Sequence, residues 1–160
     1  MEWLDSPIVY RQDQEFISRL RELKIRHYSL LGARYHYLQM ARNDFREHLK
    51  GDEVWIKKYF YVLRPLLAIR WIDEKRAPVP TPFLEMVEGL LGSGGAVRLE
   101  ILDLIKLKKA GNELGRGPKN PVIGQFIEDE FARIESVKEI PLPPHIPMEE
   151  LNIFFRETVG

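Results

Sequence analysis

The 160-residue sequence contains no cysteine, which removes disulfides, thiolate zinc sites and a cysteine nucleophile together and fits a reducing compartment. It has no net charge either: lysine plus arginine equals aspartate plus glutamate at 24 each. No long-range field therefore draws in nucleic acid or an acidic membrane, and any anion site has to be local. Long apolar runs are missing, because charge interrupts them every few residues, and the opening MEWLDSPIVY has no basic stretch followed by an apolar core. No membrane partner is expected, and a cytoplasmic location is. The phosphate-cradling patterns GxxxxGK[ST] and GxGxxG are absent, as is HExxH, and no two of His27, His36, His48 and His145 share a helical face. No metal site is expected. Nor does any useful length alternate at period two, which argues against a sheet.

What is present is 44% hydrophobic content, enough for a real core in one globular domain, arranged at helical spacing. The reading is an all-α fold, an irregular bundle of about six to seven helices. A lead-in segment (residues 1–12) precedes a helical domain (13–160) with helices near 13–26, 30–50, 54–74, 82–91, 96–109, 122–136 and 148–158. Asp13 and Ser29 can cap the first two. In the second, Leu31, Tyr35, Leu38, Ala41, Phe45 and Leu49 keep the core spacing, and Gly51 is expected to end it in a left-handed conformation. Asp52 and Glu53 then suit the N-terminus of the third. Thr81 before Pro82 reads as the cap of the fourth, the fifth buries Leu99, Leu102 and Ile105 with Leu104 or Ile101, and the sixth buries Ile123, Phe126 and Ile127 with Phe131 or Ile134. The loop AGNELGRGPKNP reads as a mobile connector, with contact of a phosphate backbone by Lys109, Arg116 and Lys119 as the alternative, and the stretch 140–147 as extended.

The third helix organises the rest. At about 100° per residue, Tyr59, Val62, Leu63, Leu66, Leu67 and Ile69 fall on one broad face that is expected to be buried. Lys57, Tyr61, Arg64 and Ala68 recur at i, i+4, i+7 and i+11, a stripe of two cations and a phenol that can hold an anion or serve as an ordinary solvated face. Arg70 falls among the apolar positions and needs a partner there. His36 can stack on or hydrogen-bond a base, or be a satisfied structural residue. The adjacent acids Asp73-Glu74, Glu128-Asp129-Glu130 and Glu149-Glu150 diverge on a helix and read as solvated.

Five stretches, EWLDSPIVY, YHYLQMARNDFREHLKG, KKYFYVLRPLLAIRWI, KKAGNELGRGP and ELNIFFRE, resemble in order the C-terminal half of a bacterial and phage family of nucleotidyltransferases in the DNA polymerase β superfamily linked to RNA repair. The resemblance implies a nucleoside triphosphate and Mg2+. In such enzymes a Gly-Ser turn is followed by an Asp-x-Asp pair, whose two carboxylates hold the two metal ions that align the attacking hydroxyl and the triphosphate. Here Gly92-Ser93 leads into a glycine joint and no Asp-x-Asp occurs, so the chain reads as the helical half alone, transferring no nucleotide by itself. A catalytic domain would come from upstream or in trans. The resemblance gives this half a role in holding the incoming nucleotide or the acceptor, with RNA as a partner, through Lys57, Tyr61, Arg64 and Arg70, to which His36 is added. Two alternatives stand: an HEPN-like helical ribonuclease module using Arg42 and His48, and a non-catalytic protein-interaction module docking through the apolar N-terminal segment.

Overall fold

Seven helices and one two-stranded ribbon make an all-α bundle in the computed structural model, which describes residue 4 and residues 8–111, 114–137 and 148–160. Helix α1 (Gln14–His27) starts at Asp13, whose side chain accepts the Phe16 N–H at 2.9 Å. Helix α2 (Leu30–His48) starts at Ser29, which accepts the Gly32 N–H at 3.0 Å. Each cap satisfies a donor that the first helical turn would otherwise leave open. The chain then forms strand β1 (Glu53–Trp55), a 3-10 turn (Ile56–Lys58) and helix α3 (Tyr59–Lys75). Helices α4 (Phe83–Leu90) and α5 (Ala96–Lys109), strand β2 (Arg116–Pro118), α6 (Pro121–Ser136) and α7 (Glu149–Val159) follow. The stretch 140–147, expected to be extended, lies outside the described residues.

Helix α3 is the core. Tyr59, Val62, Leu63, Leu66, Leu67 and Ile69 are all buried, joined by Pro65, Ala68 and Ile72, and α2, α4 and α6 pack around it. Pro65 offers no N–H to the Tyr61 carbonyl, yet the helix runs through it.

Several expectations need correction. The third helix begins at Tyr59, not near residue 54, because β1 pairs antiparallel with β2, Trp55 opposite Arg116 and Val54 opposite Gly117. Val54 is buried while Glu53 and Trp55 are exposed, a period-two pattern three residues long and too short to read from sequence. The partner strand supplies the backbone bonds, and Asp52 and Glu53 lie in turn and strand rather than at a helix end. Gly51 is not left-handed; Gly111, Gly160 and, among non-glycine residues, Arg76 at φ 51° are. Arg76 ends α3. Pro82, not Thr81, sits at the α4 cap position and makes no side-chain bond there. In α2 the second tyrosine turns inward: Tyr37 is buried and Tyr35 exposed. In α5 the buried pair is Ile101 and Leu104, one turn apart, which puts Leu99 on the solvent side and leaves Leu102 and Ile105 at the core edge.

Candidate functional site

The end of α1, one face of α2 and the middle of α3 line a half-open cavity of about 320 Å³. Its walls follow from helical spacing: Ala33, His36, Tyr37 and Met40 stand at i, i+3, i+4 and i+7 on α2, and Lys24 and Tyr28 are one turn apart at the end of α1. Arg64 and Pro65 of α3 and Val79 of the following turn complete it. Arg64 Nη1 donates to the Thr81 carbonyl at 2.9 Å, so the proline-rich turn after α3 fixes the guanidinium. The His36 and Tyr37 rings lie 5.8 Å apart. None of these lining residues is acidic. A lysine, an arginine, an imidazole and two phenols facing one space suit a phosphorylated, aromatic ligand.

Two of the candidate residues, His36 and Arg64, therefore share a site. Lys24 and Tyr28 were missed; the four-residue spacing between them on a helix otherwise read as amphipathic surface was the available signal. Lys57 and Tyr61 are elsewhere: Lys57 Nζ lies 5.1 Å from the Trp55 ring centre, and Lys58 Nζ lies 4.5 Å from that of Tyr61. Ala68 is buried, which ends the solvent-facing stripe after Arg64.

Arg70 has the partners its position demanded. Its Nε donates to Glu74 at 2.6 Å and its Nη1 to Glu130 at 3.1 Å. The pairing extends into a network tying α2, α3 and α6. Arg34 Nε donates to Asp73 at 2.8 Å, Arg133 Nη1 donates to Asp73 at 2.8 Å, and Arg133 Nε donates to Glu130 at 3.0 Å. Arg133 Nη2 also approaches Glu130 at 3.0 Å, as an ion pair without a hydrogen bond of its own. Burial alone would push the Arg133 guanidinium down, but its hydrogen bonds to Asp73 and Glu130 outweigh that and hold it above its ordinary value. The reading of these acids as solvated is corrected for two of them: Glu130 is 3% exposed and Asp73 faces two arginines. Divergence on the helix is the reason, since it leaves Glu128 and Asp129 outside while Glu130 points in.

Arg42 and His48 do not meet in one site. Six residues apart on α2, they stand about 120° apart around it. Arg42 pairs with Glu135 of α6 at 3.3 Å, whereas His48 lies 3.8 Å from Asp44 and 3.6 Å from Glu47. Among the described residues, no group of three or more His, Cys, Asp or Glu is placed to hold a metal ion, and no helix is long and apolar enough to cross a membrane. Ile8, Val9 and Tyr10 are exposed.

A family model described as RlaP, RNA repair pathway DNA polymerase beta family, matches residues 1–157. The chain belongs to this family. Membership places it in the DNA polymerase β superfamily and links it to RNA repair. Over 160 residues it is 38% identical to "Uncharacterized protein YcgL" of Bacillus subtilis (strain 168), a match covering 99% of this chain and 61% of that protein. The chain thus spans about three-fifths of the length of the curated relative it matches. No solved structure matches it.

Proposed function

We propose that this segment is the nucleotide-binding helical portion of a metal-dependent nucleotidyltransferase, with the metal-holding carboxylates carried elsewhere. What supports this most is the convergence of Arg64, Lys24 and His36 on one cavity without an acid in its walls. Arg64, held by the Thr81 carbonyl, pairs phosphate oxygens; Lys24 adds a second cation; His36 and Tyr28 take the base or sugar. The volume suits part of a nucleotide, not the whole of one plus an acceptor.

Magnesium does not fit the described residues. Asp73, Glu74 and Glu130 are committed to arginines, and no other cluster is placed for a cation, so no metal step is assigned to these side chains. The purified chain is accordingly expected to bind nucleotide and transfer none; magnesium-dependent labelling of any acceptor by it would refute the division of labour.

Calorimetric titration with a panel of nucleoside triphosphates tests the site. Arg64→Ala is expected to weaken binding by about tenfold or more, the cost of a charge-assisted contact to phosphate. Arg42→Ala, on the far side of α2, should leave it unchanged. Equal effects from the two would rule out the cavity.

A further inference from the structure

We propose that the β1–β2 ribbon and the first turn of α3 form a platform for single-stranded nucleic acid, with bases stacked on Trp55 and Tyr61 and phosphates held by Lys57, Lys58 and Arg116. The ribbon is short and one-sided. Val54 turns into the core, so Glu53 and Trp55 project outward, and the register places Arg116 directly opposite Trp55. Trp55 remains 41% exposed and Tyr61 54% exposed, although a buried core lies beside both. Each ring has a lysine ammonium over it, Lys57 at 5.1 Å and Lys58 at 4.5 Å, and Lys108 sits 4.9 Å from the neighbouring Phe60 ring.

A single lysine folded over an exposed ring is ordinary surface chemistry. Here two exposed aromatics six residues apart each have a lysine over the ring, and the first faces a cross-strand arginine, on a chain whose overall charge is zero. Alternating cations and ring faces match a polymer that alternates phosphates and aromatic bases. An exposed cation–ring contact is weaker than base stacking, so a base displaces the lysine and frees it for the adjacent phosphate. A duplex keeps its ring faces to itself, which is why the ligand is single-stranded. Asp44, 3.6 Å from Lys58, tethers that lysine, while Glu53 lies on the ribbon face and its backbone carbonyl accepts from Arg116 Nη2 at 3.5 Å; Lys57 and Arg116 are left as the principal phosphate contacts. None of these residues lines the α1–α2–α3 cavity, and the inference does not depend on what that cavity holds.

The test is fluorescence anisotropy of end-labelled rU12 and dT12 titrated with the full chain at several salt concentrations. Binding of either is expected, and Trp55→Ala should weaken it about tenfold. Lys57→Ala and Arg116→Ala should each flatten the salt dependence by about 0.7 in log–log slope, and Lys75→Ala should not change it. Tighter binding of rU12 supports a platform that reads the 2′-hydroxyl, and equal binding supports one that reads backbone and stacking alone. If Trp55→Ala disturbs folding by circular dichroism, Tyr61→Ala on the outer face of α3 carries the same expectation. The inference is overturned if neither oligonucleotide binds, if aromatic-ring variants that keep their fold bind as tightly as wild type, if a 12-base-pair duplex binds as tightly as the single strands, or if saturating nucleoside triphosphate displaces the strand.

Discussion

Replacing Asp73 by leucine tests whether the buried ion network holds α2, α3 and α6 together. The Asp73 side chain is 11% exposed and accepts from Arg34, itself 7% exposed, and from Arg133. Arg133 retains Glu130 after the substitution, so the penalty falls mainly on Arg34, whose charge is left facing an apolar side chain. At these exposures solvent screening relieves little of it. Breaking a buried pair from one side costs about 3–5 kcal/mol, which in a domain of this size lowers the midpoint by roughly 6–20 °C. Charges removed together carry no such penalty: Asp73→Leu with Arg34→Met should recover most of the loss, since well-packed apolar replacements of buried pairs are often neutral. Urea unfolding followed by circular dichroism on the two single variants and the double measures the coupling. A single-variant cost below about 1 kcal/mol, or a double variant no better than the single, would refute the assignment of Arg34 as a buried charge neutralised by Asp73.

Two glycines in helices should respond in opposite ways. A Cβ at Gly89 would sit 2.7 Å from the Trp71 ring, so Gly89→Ala should destabilise by about 1–3 kcal/mol in thermal melts despite the better helix former. At Gly124 the obstacle is the flexible end of Lys119 at 2.8 Å, and Gly124→Ala should be neutral or stabilising by up to about 1 kcal/mol. Arg76→Gly removes a left-handed non-glycine residue at the end of α3 and should stabilise by about 1 kcal/mol in the same melts. Tyr59→Phe should cost about 1–3 kcal/mol, because the phenol oxygen accepts the Asn120 N–H at 2.8 Å. Burial pushes the Tyr59 phenol up, with the Asn120 bond opposing in part. A raised folded pKa means that this stability is complete below the unfolded value of 10.0 and lost as pH rises through the folded one. Denaturation midpoints compared between pH 9 and 11 should therefore fall further for wild type than for Tyr59→Phe.

The apolar face of the central helix was readable from spacing: six apolar positions cover it, and all six are inside. The caps at Asp13 and Ser29 were readable for the same reason, each being a local bond between residues three apart. The ribbon was not. Val54 is a single inward residue, and its strand exists because a segment more than sixty positions later lies beside it. Pairing of that range leaves no local trace, so Asp52 and Glu53 looked like helix-starting acids when they are loop and strand.

The site divides along the same line. Arg70 could be flagged from α3 alone, since an arginine at an apolar angle requires an acid, but which acid depended on α6 turning Glu130 inward. The stripe through Lys57, Tyr61 and Arg64 was read as one surface; a 3-10 turn before Tyr59 and the buried Ala68 after Arg64 cut it at both ends. What remains are two chemistries at opposite ends of the cut. Arg64 shares a half-open cavity with Lys24 of α1 and His36 of α2. Lys57, over the exposed Trp55 ring, and the exposed Tyr61 lie outside that cavity, where the proposed strand would stack whatever its bases and lose affinity with salt. Under the two proposals a mononucleotide and a strand would be told apart by which elements meet rather than by residue type, as lysine, arginine and tyrosine occur at both ends. The meeting of α1 and α2 with α3 is a property of packing, which is why no pattern along α3 could separate the two.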